Sequence, residues 1–582
     1  MLHRRIPLTT LPRSARALCL AALACGGSPE SGSLPERSAD STELRATDDR
    51  DIDVPGSVAR ADDEAADDDA APDTEDQGGA DEIIEATASL PEAPRRAFVE
   101  ATAGQVEALL GIPYAQPPVG PRRFQPPEPL TAPATEKDAT GARTACLQVD
   151  GVTARGSEDC LYLNVYRPTG TTSASNLPVM VWIHGGSFLH GAGIDYDPQR
   201  LVDQNQIVVV TINYRLGALG FLALPATAQS PALPGNYGLM DQQEALSWVR
   251  KNITTFGGNP NRVTIQGQSA GGGSVCAHLA SPPAAGLFSQ AVIQSGGCSA
   301  RTLADTEAYG TAFARLVPGC EVASDAAECL RSVNADEIRK TTGASVAAAL
   351  GWLFGPVVSS PVLPKAPADV VQAKEQHRVP VLIGGIRDEK RAFMLDWRER
   401  ANTNYPNAAA AYFKDAAIGA EVVRNYPEAD FTARFGEAFP ALTAAASDLE
   451  WACGTALLAD WFSSSTTTYA YELDDPDFSS PDYISPVLGA THSADLPFLF
   501  EAVLFGAGIS NRAFDEEQNA LATQMVSAWG AFIKTGNPST DVPWASYSQA
   551  KRTMLRLVPG DVAADTEFAA RHKCAAWGFP GM

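Results

Sequence analysis

The sequence predicts an α/β fold, with a mainly parallel sheet flanked by helices, and three observations lead there. Short apolar runs at Val179–Ile183, Ile207–Ile212, Val263–Ile265 and Val381–Ile383 have the length and composition of buried strands. Between them lie stretches with helical spacing, such as Asp241–Asn252 and Ala270–Leu279. Strands that alternate with helices favour parallel pairing, because each helix carries the chain back to the same end of the sheet. No internal repeat is visible, and 582 residues at 45% hydrophobic content supply ample material for a large core.

From the N-terminus the chain reads in three parts. Arg4, Arg5, Arg13 and Arg16 precede an apolar run, Ala17 to Ala24, that is too short to span a bilayer. A basic segment before such a run has the form of an export signal, here over residues 1–25. Its end, Ala22-Leu23-Ala24-Cys25, is similar to a degenerate bacterial lipoprotein site. Lipidation of Cys25 would anchor the chain to a membrane, and ordinary cleavage nearby is the alternative reading. Residues 26–92 carry 21 acidic and 4 basic side chains and almost no aromatics, so they cannot bury enough apolar surface to offset the entropy of ordering them. They are expected to form a disordered acidic linker. Within it, Asp62–Asp69 reads as a self-repelling solvated run and not as a calcium site. The folded part is then residues 93–582.

The linker holds most of the formal charge of −25, and this balance argues against nucleic acid as a partner, because binding to phosphates is driven by clustered Lys and Arg. Ten cysteines contain no C-x-x-C pair, and no H-E-x-x-H or EF-hand pattern occurs, so no metal site is expected. Oxidised pairs in an exported protein are the simpler reading.

The sharpest local motif is Gly267-Gln268-Ser269-Ala270-Gly271, which follows the strand-like Arg262–Ile265 and opens the helix-like Ala270–Leu279. A nucleophile on a tight strand-to-helix turn needs small neighbours, since flanking Cβ atoms would clash. The helix N-terminus beside it favours developing negative charge. A second glycine-rich turn, His184-Gly185-Gly186-Ser187-Phe188, ends the strand Val179–Ile183. Such a turn can aim backbone N–H groups at a tetrahedral oxyanion, worth about 2.7–4 kcal/mol per donor.

With these blocks the sequence resembles the type-B carboxylesterases, a family that includes the cholinesterases and has the α/β-hydrolase fold. The resemblance extends from about residue 95 to the C-terminus. It is carried by Gly111–Ala115, Pro117–Gly120, Arg123-Phe124, Ser157–Val165, Asn213–Arg215, Gly235–Gln242 and Phe256–Pro260. It implies that 93–582 is a catalytic domain that hydrolyses small-molecule carboxylic esters through an acyl-enzyme, without metal or cofactor.

In this fold the triad runs Ser, acid, His along the chain. Four histidines follow Ser269: His278, His377, His492 and His572. His278 precedes any plausible acid, and His572 lies between Arg571 and Lys573 near the C-terminus, which leaves His377 and His492. His492, in Gly489–Phe498, looks like the family's histidine loop and is therefore assigned as general base. Resemblance makes Glu389 the acid. The family usually has glycine next, where this chain has Lys390, so Asp388 competes for the role. Similarity also places the oxyanion hole at the N–H groups of Gly186, Ser187 and Ala270. A third glycine is common where Ser187 stands, but a main-chain donor does not require one. His184 is expected to support the turn.

Resemblance further implies the disulfides Cys146–Cys160, Cys320–Cys329 and Cys453–Cys574. Cys276 and Cys298 are left as either free thiols or a bonded pair. The Cys146–Cys160 loop has no aromatic residue and Gln268 stands where choline-specific members carry glutamate, so a quaternary ammonium group would be poorly held. Two other readings stand beside a general carboxylesterase. One is a lipase for long acyl chains, which the short Cys146–Cys160 loop disfavours. The other is a non-catalytic, cholinesterase-like surface binding protein, which intact Ser269, Glu389 and His492 disfavour.

Overall fold

A computed structural model describes residues 105–132, 141, 144–150, 153–347, 354–359, 361–478, 489–505, 508–509 and 514–579. The expected export signal at 1–25, its Cys25 and the linker at 26–92 lie outside the described residues.

Ten strands form one sheet: β1 (Val106–Pro113), β2 (Tyr162–Pro168), β3 (Leu177–Ile183), β4 (Val208–Ile212), β5 (Gly258–Gln268), β6 (Gln290–Gln294), β7 (Val381–Ile386), β8 (Thr468–Leu473), β9 (Met554–Leu557) and β10 (Ala563–Asp565). Their spatial order is β1-β2-β4-β3-β5-β6-β7-β8-β9-β10. The seven strands from β4 to β9 pair in parallel, while β1, β2 and β10 pair antiparallel at the margins. The mainly parallel sheet expected from the alternating pattern is therefore present.

The central strands are apolar on both faces because both faces are covered. Alternate residues of β3 point to opposite sides: Val179, Val181 and Ile183 pack with Leu246, Phe256 and Ile265, whereas Met180 and Trp182 pack with Val209, Val292 and Trp529. Helix α1 (Tyr237–Asn252) buries Leu239, Leu246 and Val249. Helix α2 (Ala270–Ala280) follows β5 directly and is buried along nearly its whole length. Helix α4 (Glu516–Thr535) covers the other face and starts with a reciprocal cap between Asp515 and Gln518. A third apolar cluster, with Phe439, Leu442, Leu449 and Trp577, surrounds Cys453 at the start of α3 (Cys453–Ser463).

Four disulfides lock these layers. Cys146–Cys160, Cys320–Cys329 and Cys453–Cys574 are the pairs the resemblance implies, and Cys276 is bonded to Cys298. That last bond ties α2 to the segment after β6. Each is worth about 2–4 kcal/mol, chiefly by restricting the unfolded chain. Four such bonds suggest an extracellular or secreted protein. Among the described residues no helix is long and apolar enough to cross a membrane, and no group of side chains could hold a metal ion.

Candidate active site

Strand β5 delivers Gln268 and Ser269 to the start of α2 through a turn that only glycines permit. Ser269 has φ 58° and ψ −124°, a region that L-residues avoid. A Cβ at Gly271 would lie 2.0 Å from the Ile183 carbonyl oxygen, and one at Gly267 would lie 2.4 Å from the Gly271 carbonyl carbon. The packing of β3, β5 and α2 thus holds the serine in its strained conformation. Its N–H donates to the Gln294 carbonyl at 2.9 Å, and its carbonyl accepts from the Gly273 N–H at 2.9 Å.

The neighbouring turn after β3 is also built from positive φ angles: 100° at Gly186, 59° at Ser187 and 61° at Phe188. A Cβ at Gly186 would lie 2.1 Å from the His190 carbonyl oxygen. The turn is closed by N–H donors of Leu189 and His190 to the Gly186 carbonyl, at 2.8 and 3.0 Å. Among the described residues the N–H groups of Gly186, Ser187 and Ala270 have no protein acceptor. His184 supports this turn from beneath. Its Nδ1–H donates to the Gly185 carbonyl at 2.8 Å, and its ring stacks on Tyr214 at 4.3 Å. Burial pushes the His184 pKa down to about 3, so it is neutral.

His492 and Glu389 come from two loops beyond the C-terminal ends of the strands. Glu389 lies three residues after β7, and its Oε1 accepts from the Ile386 N–H at 3.0 Å. Its Oε2 accepts from His492 Nδ1–H at 2.5 Å. Both side chains are buried. Asp388, the competing acid, turns the other way and pairs with Arg391 at 2.8 Å. Its own N–H donates to the Ala490 carbonyl at 3.0 Å, so it fastens the histidine loop to the acid turn. Lys390, in the place of the usual glycine, pairs with Glu450 at 2.7 Å. The other histidines are occupied elsewhere: His278 meets Gln242 at 2.8 Å and His377 meets the Ser281 carbonyl at 2.8 Å.

Several neighbours of His492 escape sequence reasoning. Phe393 and Trp451 lie against its ring, at centroid distances of 4.9 and 5.0 Å. Trp451 is placed there by a π-helical turn, Asp448–Ala452, a distortion found frequently at functional sites. Asp495 is fully buried, and its carboxyl accepts from Gln294 at 2.6 Å and from the Tyr471 hydroxyl at 3.4 Å. Burial, with Glu389 nearby, raises the Asp495 pKa to about 6. Gln268 puts its Nε2 3.1 Å from His492 Nε2. Phe393 and Trp451 belong to no local pattern, whereas Gln268 and Asp495 lie within the nucleophile motif and the histidine loop, whose spacing does not show what their side chains touch.

The sequence model of the carboxylesterase family matches residues 95–577. The chain is 35% identical to the para-nitrobenzyl esterase of Bacillus subtilis (strain 168), over 78% of this chain and 92% of that one. It is 34% identical to the acylcarnitine hydrolase of Mus musculus (76% and 81% covered) and 31% identical to the acetylcholinesterase of Bungarus fasciatus (81% and 82% covered). A solved structure of a PNB esterase superposes with a TM-score of 0.66 at 33% identity, covering 81% of this chain and 96% of that one. The ten-stranded sheet is thus that of the α/β-hydrolase fold, and the chain belongs to the carboxylesterase family, as a carboxylic ester hydrolase.

Proposed function

We propose that ester hydrolysis here runs through a Ser269–His492–Glu389 triad and an acyl-enzyme. The observation that carries this reading is the 2.5 Å bond from His492 to Glu389, formed beside a serine held at φ 58° between two glycine turns. Glu389 fixes the tautomer: with the proton on Nδ1, Nε2 is left as the base. His492 Nε2 takes the Ser269 hydroxyl proton as Oγ attacks the ester carbonyl, then returns it to the departing alcohol. Water repeats the sequence on the acyl-enzyme. The negative oxygen that forms in each half is met by the N–H groups of Gly186, Ser187 and Ala270, which are fixed in direction by their turns and so cost no reorganisation.

Substrates are small carboxylic esters of broad type, and a lipase is the rival within the same mechanism. The same reading includes export through residues 1–25, a disordered tether over 26–92, the catalytic domain at 93–582, and lipid attachment through Cys25. Four disulfides are consistent with export.

The test is hydrolysis of p-nitrophenyl esters from acetate to palmitate by the oxidised full chain, beside Ser269→Ala. Turnover that favours short acyl chains and falls by about 10⁶-fold in the variant is expected. A maximum at palmitate would promote the lipase, and equal rates in the two proteins would overturn the triad.

A further inference from the structure

Resting on that triad, we propose that Gln268 is a positioning residue for the base: in the resting enzyme its amide N–H holds the Nε2 lone pair of His492, and the Ser269 hydroxyl replaces it at attack. The orientation of the amide follows from its surroundings. Glu389 accepts from Nδ1–H, so Nε2 carries the lone pair, and only the N–H end of an amide can satisfy it at 3.1 Å. The carbonyl end lies toward the oxyanion turn, where a Cβ on Gly185 would sit 3.1 Å from Gln268 Oε1. The side chain is buried and wedged between the turn that receives the oxyanion and the base that moves the proton.

The charges around His492 give this contact its meaning. Glu389 faces the ring from the acid turn, and Asp495 lies three residues away on the ring's own loop. The Lys390–Glu450 ion pair lies beside Phe393, with Lys390 Nζ 5.8 Å from the centre of that ring. From β5 the partner at Nε2 is Gln268, which is neutral. A donor to the lone pair favours neutral imidazole, whereas a carboxylate there would favour the cation. The Ser269 hydroxyl takes the place of the amide at Nε2 when the proton passes from Oγ to the ring and on to the leaving alkoxide, so the amide donor belongs to the resting state.

The experiment is the pH dependence of kcat/KM for p-nitrophenyl acetate with the oxidised full chain, comparing wild type, Gln268→Met and Gln268→Glu. Methionine keeps the unbranched shape and removes the donor. The acid limb is expected to move up by about one pH unit in Gln268→Glu and by less in Gln268→Met. Coincident profiles, or a downward shift in Gln268→Met, would overturn the proposal. A measurement that needs no variant is ¹⁵N NMR of the His492 ring in the wild type above the acid limb. An unprotonated, hydrogen-bonded Nε2 is expected, and a protonated Nε2 in the neutral ring would overturn the proposal. These outcomes are separate from failure of the triad itself, which would show as an undiminished rate in Ser269→Ala.

Discussion

The two halves of the candidate site are held by different physics. The nucleophile half, made of Ser269 and the turn at Gly185–Phe188, is fixed by backbone sterics: glycines without room for a Cβ, strands locked in register, and carbonyls at contact distance. The acid–base half is fixed by charge. Glu389 and His492 sit on loops, and what surrounds the acid turn is a set of buried and half-buried ion pairs: Asp388 with Arg391, Lys390 with Glu450, and Arg571 with Glu472. At their centre His572, fully buried, meets Asp448 at 2.5 Å and Glu472 at 2.6 Å. Sterics do not titrate and charges do. The first half should therefore tolerate pH but no added atom, and the second should tolerate shape but not loss of charge.

The largest expected effect tests the steric half. Gly271→Ala places a methyl group where the Ile183 carbonyl stands 2.0 Å away, so no variant with measurable esterase rate should be recovered at any pH. An active, normally folded Gly271→Ala protein would show that the elbow has slack. Next comes the charge half. Glu389→Gln should lower kcat by about 10⁴-fold with little change in KM, because the ring loses its orienting carboxylate. Asp388→Asn, which only weakens the bond to Arg391, should cost stability and leave kcat within about tenfold. The reverse ranking would give the acid's role to Asp388.

The smallest effect concerns stability and sharpens the contrast through pH. Burial alone would lower the His572 pKa, but Glu472 and Asp448 outweigh it and hold the value up at about 9. The folded value lies above the ordinary 6.5. The stabilisation is therefore full below about pH 6.5 and lost as pH rises through 9. Glu472 mirrors this: burial opposes it, yet His572 and two arginines bring its pKa down to about 2, so its share is full above about pH 4.5 and is lost as pH falls from there through 2. Urea denaturation should show wild type losing on the order of 3 kcal/mol between pH 6.5 and 9. His572→Gln should start lower and stay flat there, and parallel curves would show that the cluster does not titrate.

This division also explains what the sequence made legible. The steric half announces itself locally, since Gly267–Gly271 and the turn after β3 must be glycine-rich within a few residues of the nucleophile. Central strands were visible because burial on both faces leaves continuous apolar runs. The acid–base half draws on residues 448, 472 and 572, and long-range pairing of charges leaves no periodic trace. His572, set aside as the base because it lies between Arg571 and Lys573 near the C-terminus, is fully buried at the centre of that network. Strand β8 was hidden for a related reason: Thr468-Tyr-Ala-Tyr-Glu-Leu473 reads as mixed polarity, while all six residues are buried and Glu472 is neutralised by partners far along the chain. The Cys276–Cys298 bond had no signature either, because only the packing of α2 against β6 brings its two ends together.

The pairing of residues 572 and 574 with residues near 450 also makes the fold depend on its C-terminal segment. Cys574 closes a disulfide to Cys453 over 121 positions, and His572 supplies the cation that keeps Asp448 and Glu472 from facing each other bare. A chain clipped before position 568 would bury Asp448 and Glu472 without the His572 cation or the Arg571 pair, with Arg387 left to offset them, which is a penalty in a low-dielectric interior. Loss of the tail is therefore expected to appear first as lost stability of the fold and only through it as lost catalysis.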